Sequence, residues 1–123
     1  MKYELPHKIP IKSVLENLGD TLHIFHGEPV GMTSQRYLLF KLKGVKCVTC
    51  GVVGTHFKLG RGSKKERYHL NLYTDNNLLM TKDHIKPKKF GGTNTMDNYQ
   101  PMCTTCNCTK GSTYASPLIL KDK

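Results

Sequence analysis

Two Cys-x-x-Cys pairs constrain the fold of this chain more than any other feature. They are Cys47-x-x-Cys50 and Cys103-x-x-Cys106. Two such pairs have the form of zinc knuckles, in which four thiolates hold one structural Zn²⁺. With 123 residues and 37% apolar content, the chain supports only a modest hydrophobic core, so additional cross-linking is expected. Disulfides or free thiols are the alternative use of these cysteines.

The start of the chain favours a reducing compartment. Residues 1–8 lack the apolar core of a signal peptide, and no apolar run is long enough to span a membrane. A cytoplasmic location without a membrane partner is therefore expected, and there zinc is the more probable use of the thiols than disulfides. The fifth cysteine, Cys108, is left over and is interpreted as a small buried side chain or a free thiol. We expect one compact domain, with an N-terminal extension over residues 1–46 and a core over residues 47–123.

The densest set of chemically capable side chains lies between residues 81 and 111. Asp83 and His84 closely follow an apolar run, a Gly-Gly turn comes at 91–92, and Asn107 directly follows the second cysteine pair. A carboxylate is a hard oxygen ligand for Mg²⁺ or Mn²⁺, and an imidazole is suited to deprotonate a water molecule. The stretch therefore indicates a metal-dependent hydrolytic site beside the thiolates.

The order of these residues resembles the HNH (ββα-metal) endonuclease family, in the variant with two zinc-binding Cys-x-x-Cys knuckles. The matching string is Asp83-His84-Ile85-x-Pro87, Gly91-Gly92, Asn98-x-Gln100, Cys103-x-x-Cys106-Asn107 and Lys110-Gly111. The resemblance implies an α+β fold with a small zinc-stapled ββα-metal nuclease core. To that core this chain adds a short N-terminal helix and a hairpin-like extension.

The resemblance also implies roles for individual residues. His84 is expected to be the general base that activates water. Asp83 and Asn107 are expected to hold the catalytic divalent cation, and Asn98 is expected to brace the loop between them. Many family members have histidine where this chain has Asn107, and an amide oxygen there favours Mg²⁺ or Mn²⁺ over a transition metal.

The chain is strongly basic. Its 19 lysine and arginine residues against 9 aspartate and glutamate residues give a formal net charge of +10, which predicts attraction to polyanions. The candidate nucleic-acid contacts are Lys64, Lys65, Arg67, Lys82, Lys86, Lys88, Lys89 and Lys110. The alternative for the two basic runs, 58–67 and 82–89, is a solvated surface, and for Lys110 it is a favourable charge at a helix C-terminus.

Apolar periodicity predicts the elements of the N-terminal half. Apolar residues recur at helical spacing over residues 11–18, which predicts a short helix ended by Gly19. Residues 21–25 and 36–42 have the composition of two β-strands around a wide loop. The glycine-rich, basic segment 52–67 has no sustained period and is predicted to be a mobile loop.

The C-terminal half is predicted to carry the site. A β-hairpin is expected from residues 68 to 83, with a turn at 74–77, so that its second strand ends at the Asp-His pair. A short strand near Tyr99 follows, and then a helix that begins at the second cysteine pair and ends at Gly111. Residues 112–123 are expected to be a tail whose apolar side chains pack on the core.

Together these features predict a metal-dependent endonuclease that hydrolyses phosphodiester bonds in DNA. Its expected cofactors are structural Zn²⁺ and catalytic Mg²⁺ or Mn²⁺, and its expected partner is double-stranded or branched DNA. The alternative is a zinc-stabilised nucleic-acid-binding or adaptor protein with a vestigial catalytic site. Such a binder needs only the thiolates and the lysines, so retention of the whole polar set favours the enzyme.

Overall fold

A computed structural model describes residues 3–111, which form a mixed fold of short helices and strands. The first elements in chain order are β1 (Tyr3–Glu4), β2 (Ile9–Pro10), α1 (Ile11–Leu15), β3 (His23–Phe25), β4 (Glu28–Val30) and α2 (Gln35–Lys43). They are followed by β5 (Gly54–Arg61), β6 (His69–Thr74), β7 (Met80–His84), two 3-10 turns (Lys88–Phe90 and Met96–Asn98), β8 (Tyr99–Cys103) and α3 (Thr104–Lys110). The predicted α+β class is confirmed.

The predicted N-terminal helix is present as α1, and it is shorter than the apolar periodicity suggested. It begins directly after Pro10, and the chain leaves the following turn at Gly19 with a φ of 93°. Val14 is fully buried, and α1 packs on α2 and β5. The helix therefore contributes to the same hydrophobic core as the sheet.

The prediction of a strand at residues 36–42 is wrong, because this segment is the helix α2. Its sequence contains no β-branched residue, and the side chain of Ser34 caps its start by accepting a hydrogen bond from the Arg36 backbone N–H (3.2 Å). Tyr37 and Phe40, three positions apart, are both buried. The hairpin partner of β3 is instead β4, across a tight turn in place of the expected wide loop.

The prediction of a mobile loop at residues 52–67 is also wrong, because half of it is the strand β5. This strand pairs antiparallel with β1, β2 and β6 and is the centre of the main sheet. Phe57 and Leu59 are fully buried on it. A Cβ atom at Gly54 would lie 2.7 Å from the side chain of Leu72, so this glycine permits close packing between strands and does not mark a loop.

The strand pairing predicted for residues 68–83 is only partly right. A tight turn does join β6 to β7, with Asn77 at a φ of 60°. However, β6 pairs along its length with β5, and it meets the β7 segment at a single bridge, Tyr73 to Leu79. The partner of β7 is β8, in a five-residue antiparallel register that sets Asp83 opposite Gln100.

The elements β7, β8 and α3 form a compact ββα unit. The predicted strand near Tyr99 and the predicted helix after the second cysteine pair are both present, and Gly111 ends the helix with a φ of 56°. Both α2 and α3 pack on this hairpin. The tail predicted at residues 112–123 lies outside the described residues.

Candidate functional site

The four cysteines of the two Cys-x-x-Cys pairs meet in one cluster. The first pair lies in the loop before β5, Cys103 ends β8, and Cys106 lies in the first turn of α3. The four sulfur atoms all lie within 4.8 Å of one another. Two segments that are far apart in the chain are therefore positioned to bind one metal ion.

Backbone geometry places the sulfurs of each pair on the same side of a tight turn. In the first knuckle Gly51 has a φ of 79°, and its N–H donates to the carbonyl oxygen of Cys47 (3.0 Å). In the second, the Cys103 sulfur accepts a hydrogen bond from the backbone N–H of Cys106 (3.5 Å). The predicted knuckle form is therefore seen in both pairs.

The electrostatics of the cluster also fit a metal ion. Burial raises the pKa of Cys47, yet neighbouring backbone groups, first that of Cys50, outweigh it and lower the pKa to about 6. The side chain of Cys103 is the main cause that raises the pKa of Cys106 to about 12. Deprotonation of one thiol in the cluster is therefore favoured, and deprotonation of a further thiol is disfavoured. This is expected because neighbouring thiolates repel one another until a cation neutralises their charge. Four thiolates are the donor set of a closed tetrahedral site.

The fifth cysteine stands apart from the cluster. Cys108 is exposed, so the buried interpretation is wrong and the free-thiol interpretation is right. All five cysteines are among the described residues, and none of them forms a disulfide.

Asp83 lies near the end of β7 and is almost fully buried, with 6% of its surface exposed. Its Oδ2 accepts hydrogen bonds from Gln100 Nε2 (3.0 Å) and from Lys110 Nζ (2.8 Å). The Lys110 ammonium also donates to the backbone oxygen of His84 (2.6 Å). The carboxylate is therefore fixed in one orientation by β8 and by the end of α3.

His84 is the last residue of β7 and is partly exposed. Its Nε2 lies 2.8 Å from Oδ1 of Asn94. The ring stands edge-on to Tyr99, with centroids 5.1 Å apart, because the two residues face each other in the β7–β8 register. The imidazole is thus oriented by two contacts from the segment that follows it.

Asn98 holds the loop between β7 and β8 in shape. Its Nδ2 donates to the backbone oxygens of Lys86 (3.0 Å) and Thr93 (2.8 Å), and its Oδ1 accepts from the Lys86 N–H (2.9 Å). The loop closes so tightly that a Cβ atom at Gly92 would lie 1.7 Å from the Lys86 carbonyl oxygen. Asn98 makes the contacts that a bracing residue needs, and Gly92 is the residue that permits this closure.

Asn107, in the middle of α3, points toward β7. Its Nδ2 donates to Thr81 Oγ1 (2.8 Å), and the Thr81 hydroxyl donates in turn to the Met102 carbonyl oxygen (2.7 Å). Because the Thr81 hydroxyl donates its one proton to Met102, it can only accept a hydrogen bond from Asn107. This fixes the amide so that its NH₂ faces Thr81, and the amide oxygen is the atom left to bind a cation.

These side chains border one open cavity of about 250 Å³. Its lining residues are Lys82, Asp83, His84, Pro87, Lys88, Asn107, Lys110 and Gly111. The structure therefore brings together three of the four residues predicted to be catalytic, and the fourth, Asn98, lies in the adjoining loop. Thr81, Asn94 and Gln100 were not given roles from the sequence.

The remaining predicted basic contacts lie on two exposed segments. Lys86 and Lys89 are exposed in the loop after β7, and Lys64, Lys65 and Arg67 are exposed in the connection between β5 and β6. That connection is internally ordered, because the Glu66 carboxylate accepts from the Gly62 N–H (3.1 Å). The chain reverses between β6 and β7, at the Tyr73–Leu79 bridge.

Comparison with known families supports this arrangement. Residues 73–121 match the family model described as HNH endonuclease. This match and the cysteine cluster confirm the resemblance predicted from the sequence. An HNH endonuclease domain indicates a nuclease, which is a phosphodiester hydrolase that acts on nucleic acid and uses a divalent metal. No match was found among curated proteins or among solved structures.

Between residues 3 and 111 no helix is long and apolar enough to cross a lipid bilayer.

Proposed function

We propose that this protein is a metal-dependent endonuclease that hydrolyses phosphodiester bonds in double-stranded or branched DNA. His84 is the general base, and Asp83 and Asn107 hold a catalytic Mg²⁺ or Mn²⁺. Cys47, Cys50, Cys103 and Cys106 hold a structural Zn²⁺. The observation that carries the proposal is that Asp83, His84 and Asn107 line one cavity.

The first step of the proposed reaction is the activation of water by His84. One imidazole nitrogen removes a proton from the water as its oxygen attacks the phosphorus atom. A new P–O bond forms, the P–O bond to the leaving nucleotide breaks, and the leaving oxygen takes a proton from solvent. General-base catalysis of this kind contributes about 10² to 10⁴ in rate.

The oxygen donors at the cavity suit a hard divalent cation. Asp83 supplies a carboxylate and Asn107 an amide oxygen, a set that favours Mg²⁺ or Mn²⁺ over softer metals. When bound, such a cation offsets the negative charge of the scissile phosphate. Lys110 pairs with the Asp83 carboxylate and orients it through its 2.8 Å contact.

The distribution of basic residues supports nucleic acid as the substrate. Lys82 and Lys88 border the cavity, and Lys86 and Lys89 lie beside it on the same loop. The connection between β5 and β6 adds three further exposed positive charges. A polyanion that enters the cavity can contact the lysines of the loop, and the second segment offers further positive charge to its phosphates.

A cleavage assay with matched variants tests the proposal. Wild type, His84→Ala and Asp83→Ala, each with its zinc intact, are incubated with supercoiled, linear and branched DNA in a series of Mg²⁺ and Mn²⁺ concentrations. His84→Ala is expected to cut about 10² to 10⁴ more slowly with nearly unchanged DNA affinity. Asp83→Ala is expected to lose cutting and to regain part of it in excess Mn²⁺, because Asn107 remains.

The control is His7→Ala, which removes an exposed histidine outside the cavity lining and is expected to cut like wild type. Equal cutting by all variants would assign the activity to a contaminant or to another site. A wild type that binds DNA and never cuts would favour the alternative of a binding protein with a vestigial site.

A further inference from the structure

One polar contact of the proposed general base comes from Asn94, a residue that was given no role from the sequence. Asn94 lies in the loop between β7 and β8, and its Oδ1 is 2.8 Å from Nε2 of His84. An amide oxygen can only accept a hydrogen bond, so the Nε2 atom must be the donor. In the neutral imidazole the lone pair is then on Nδ1.

We propose that Asn94 is a positioning residue that assigns the base function of His84 to its Nδ1 atom. The proposal rests on the proposed nuclease function. Within residues 3–111, Nδ1 makes no hydrogen bond, whereas Nε2 is engaged by Asn94. The water proton therefore moves to Nδ1, and Nε2 keeps its own proton throughout the step.

The backbone around Asn94 is fixed on both sides. The Thr93 carbonyl oxygen accepts from Asn98 Nδ2 (2.8 Å), and the Thr95 carbonyl oxygen accepts from the Asn98 N–H (2.9 Å). The hydroxyls of Thr93 and Thr95 are also hydrogen-bonded to each other (2.7 Å). Asn94 is thus held between two anchored residues, which explains how an exposed side chain can orient another group.

The contact is expected to strengthen as the reaction proceeds. When Nδ1 accepts the proton, the ring becomes positively charged, and the Nε2–H bond to Asn94 becomes charge-assisted. The edge-on contact with Tyr99 restricts the ring plane, so the two contacts together define the direction of Nδ1. A small loss of this alignment is costly, because a misplacement of about 1 Å can lower a rate about 10²-fold.

Two substitutions separate the hydrogen bond from the shape of the side chain. Asn94→Leu has a similar size and no acceptor, whereas Asn94→Asp keeps an oxygen that accepts from Nε2. Long-range ¹H–¹⁵N spectra of the His84 ring are recorded at about pH 8, where an ordinary imidazole is neutral. Turnover and the KM for plasmid DNA are measured on the same samples with their zinc intact.

Wild type and Asn94→Asp are expected to show a protonated, hydrogen-bonded Nε2, and Asn94→Leu is expected to lose that signature. Turnover of Asn94→Leu should fall about tenfold or more with an unchanged KM, and Asn94→Asp should restore most of it. Unchanged ring spectra and turnover in Asn94→Leu would overturn the proposal, as would a wild-type ring protonated on Nδ1. If wild type never cuts but the spectra follow this pattern, the hydrogen bond stands and the nuclease proposal fails.

Discussion

The cysteine cluster and the Asp83–His84 cavity are neighbouring sites that are built in different ways. In the cluster the four ligand atoms are of one kind and lie within 4.8 Å of one another, placed by the backbone of two tight turns. In the cavity the carboxylate of Asp83, the imidazole of His84 and the amide of Asn107 are of three different kinds, and each is oriented by a separate hydrogen bond from β8, the loop or β7. We therefore expect the cluster to stabilise the fold and the geometry of the cavity to depend on single contacts.

The largest effect is expected from loss of a cluster cysteine. Cys103→Ser removes a buried candidate ligand, so the metal should be lost. Domains of this kind are stable by only about 5–15 kcal/mol, so the cooperative melting transition should be lost as well. Elemental analysis and thermal melting measure both results. Cys108→Ser, in the helix that follows Cys103, is the matched control, and it should melt like wild type and keep its metal. A wild-type protein that contains no zinc would contradict the assignment.

The second prediction disrupts the cavity and spares the cluster. A methyl group at Gly92 would overlap the Lys86 carbonyl, so Gly92→Ala must shift the loop that positions His84. Cutting should fall about 10²-fold while the bound zinc is retained. Gly31→Ala is the control, because its nearest neighbour would be 3.7 Å away and its φ is not positive. If Gly92→Ala cuts normally, the loop does not determine the geometry of the base.

A smaller effect is expected from Thr81, which orients Asn107. Thr81→Val keeps the shape and removes the hydroxyl, so the Asn107 amide is free to rotate, and Mn²⁺ affinity should fall about tenfold. Thr81→Ser keeps the hydroxyl and should bind Mn²⁺ like wild type. Titration of Mn²⁺, followed by electron paramagnetic resonance, measures the affinity without reference to cutting. Equal affinities in the two variants would show that Thr81 does not orient the ligand.

The smallest effect on turnover is expected from the exposed charges between β5 and β6. With Lys64, Lys65 and Arg67 all changed to Ala, the slope of log affinity against log salt should fall by about two to three, because each phosphate contact contributes about 0.9. Turnover at saturating DNA should not change. The control triple, Lys8, Lys12 and Lys41 to Ala, removes the same net charge from exposed positions elsewhere. An equal loss in both triples would indicate a general effect of net charge.

The sequence predicted the site better than it predicted the sheet. Asp83, His84 and Asn107 were predicted from the resemblance to the HNH family, whose motif is nearly continuous along the chain, and the ββα unit follows the same local pattern. The strand predicted at residues 36–42 failed because a capping serine and burial of Tyr37 and Phe40 outweigh strand-like composition. The loop predicted at residues 52–67 failed because Gly54 serves close packing between strands, which the sequence does not reveal.

The error in strand pairing also hid part of the site. Because β7 was expected to pair with the preceding strand, nothing indicated that Gln100 lies opposite Asp83 or that Tyr99 lies opposite His84. The contacts of Asn94 and Thr81 likewise depend on the path of the loop and on the packing of α3. Residues that contact another side chain were therefore missed, whereas three of the residues predicted to be catalytic do line the cavity.

The separation of the two cysteine pairs along the chain has a consequence for synthesis. Cys50 and Cys103 are 53 positions apart, and β5, β6 and β7 lie between them. At a translation rate of about 5–20 residues per second, the first pair leaves the ribosome about 3–10 s before the second. By analogy with a disulfide that closes a loop of this length, joining the pairs removes about 4 kcal/mol of freedom from the unfolded chain. We therefore expect metal capture to be a late event that follows the synthesis of β5, β6 and β7.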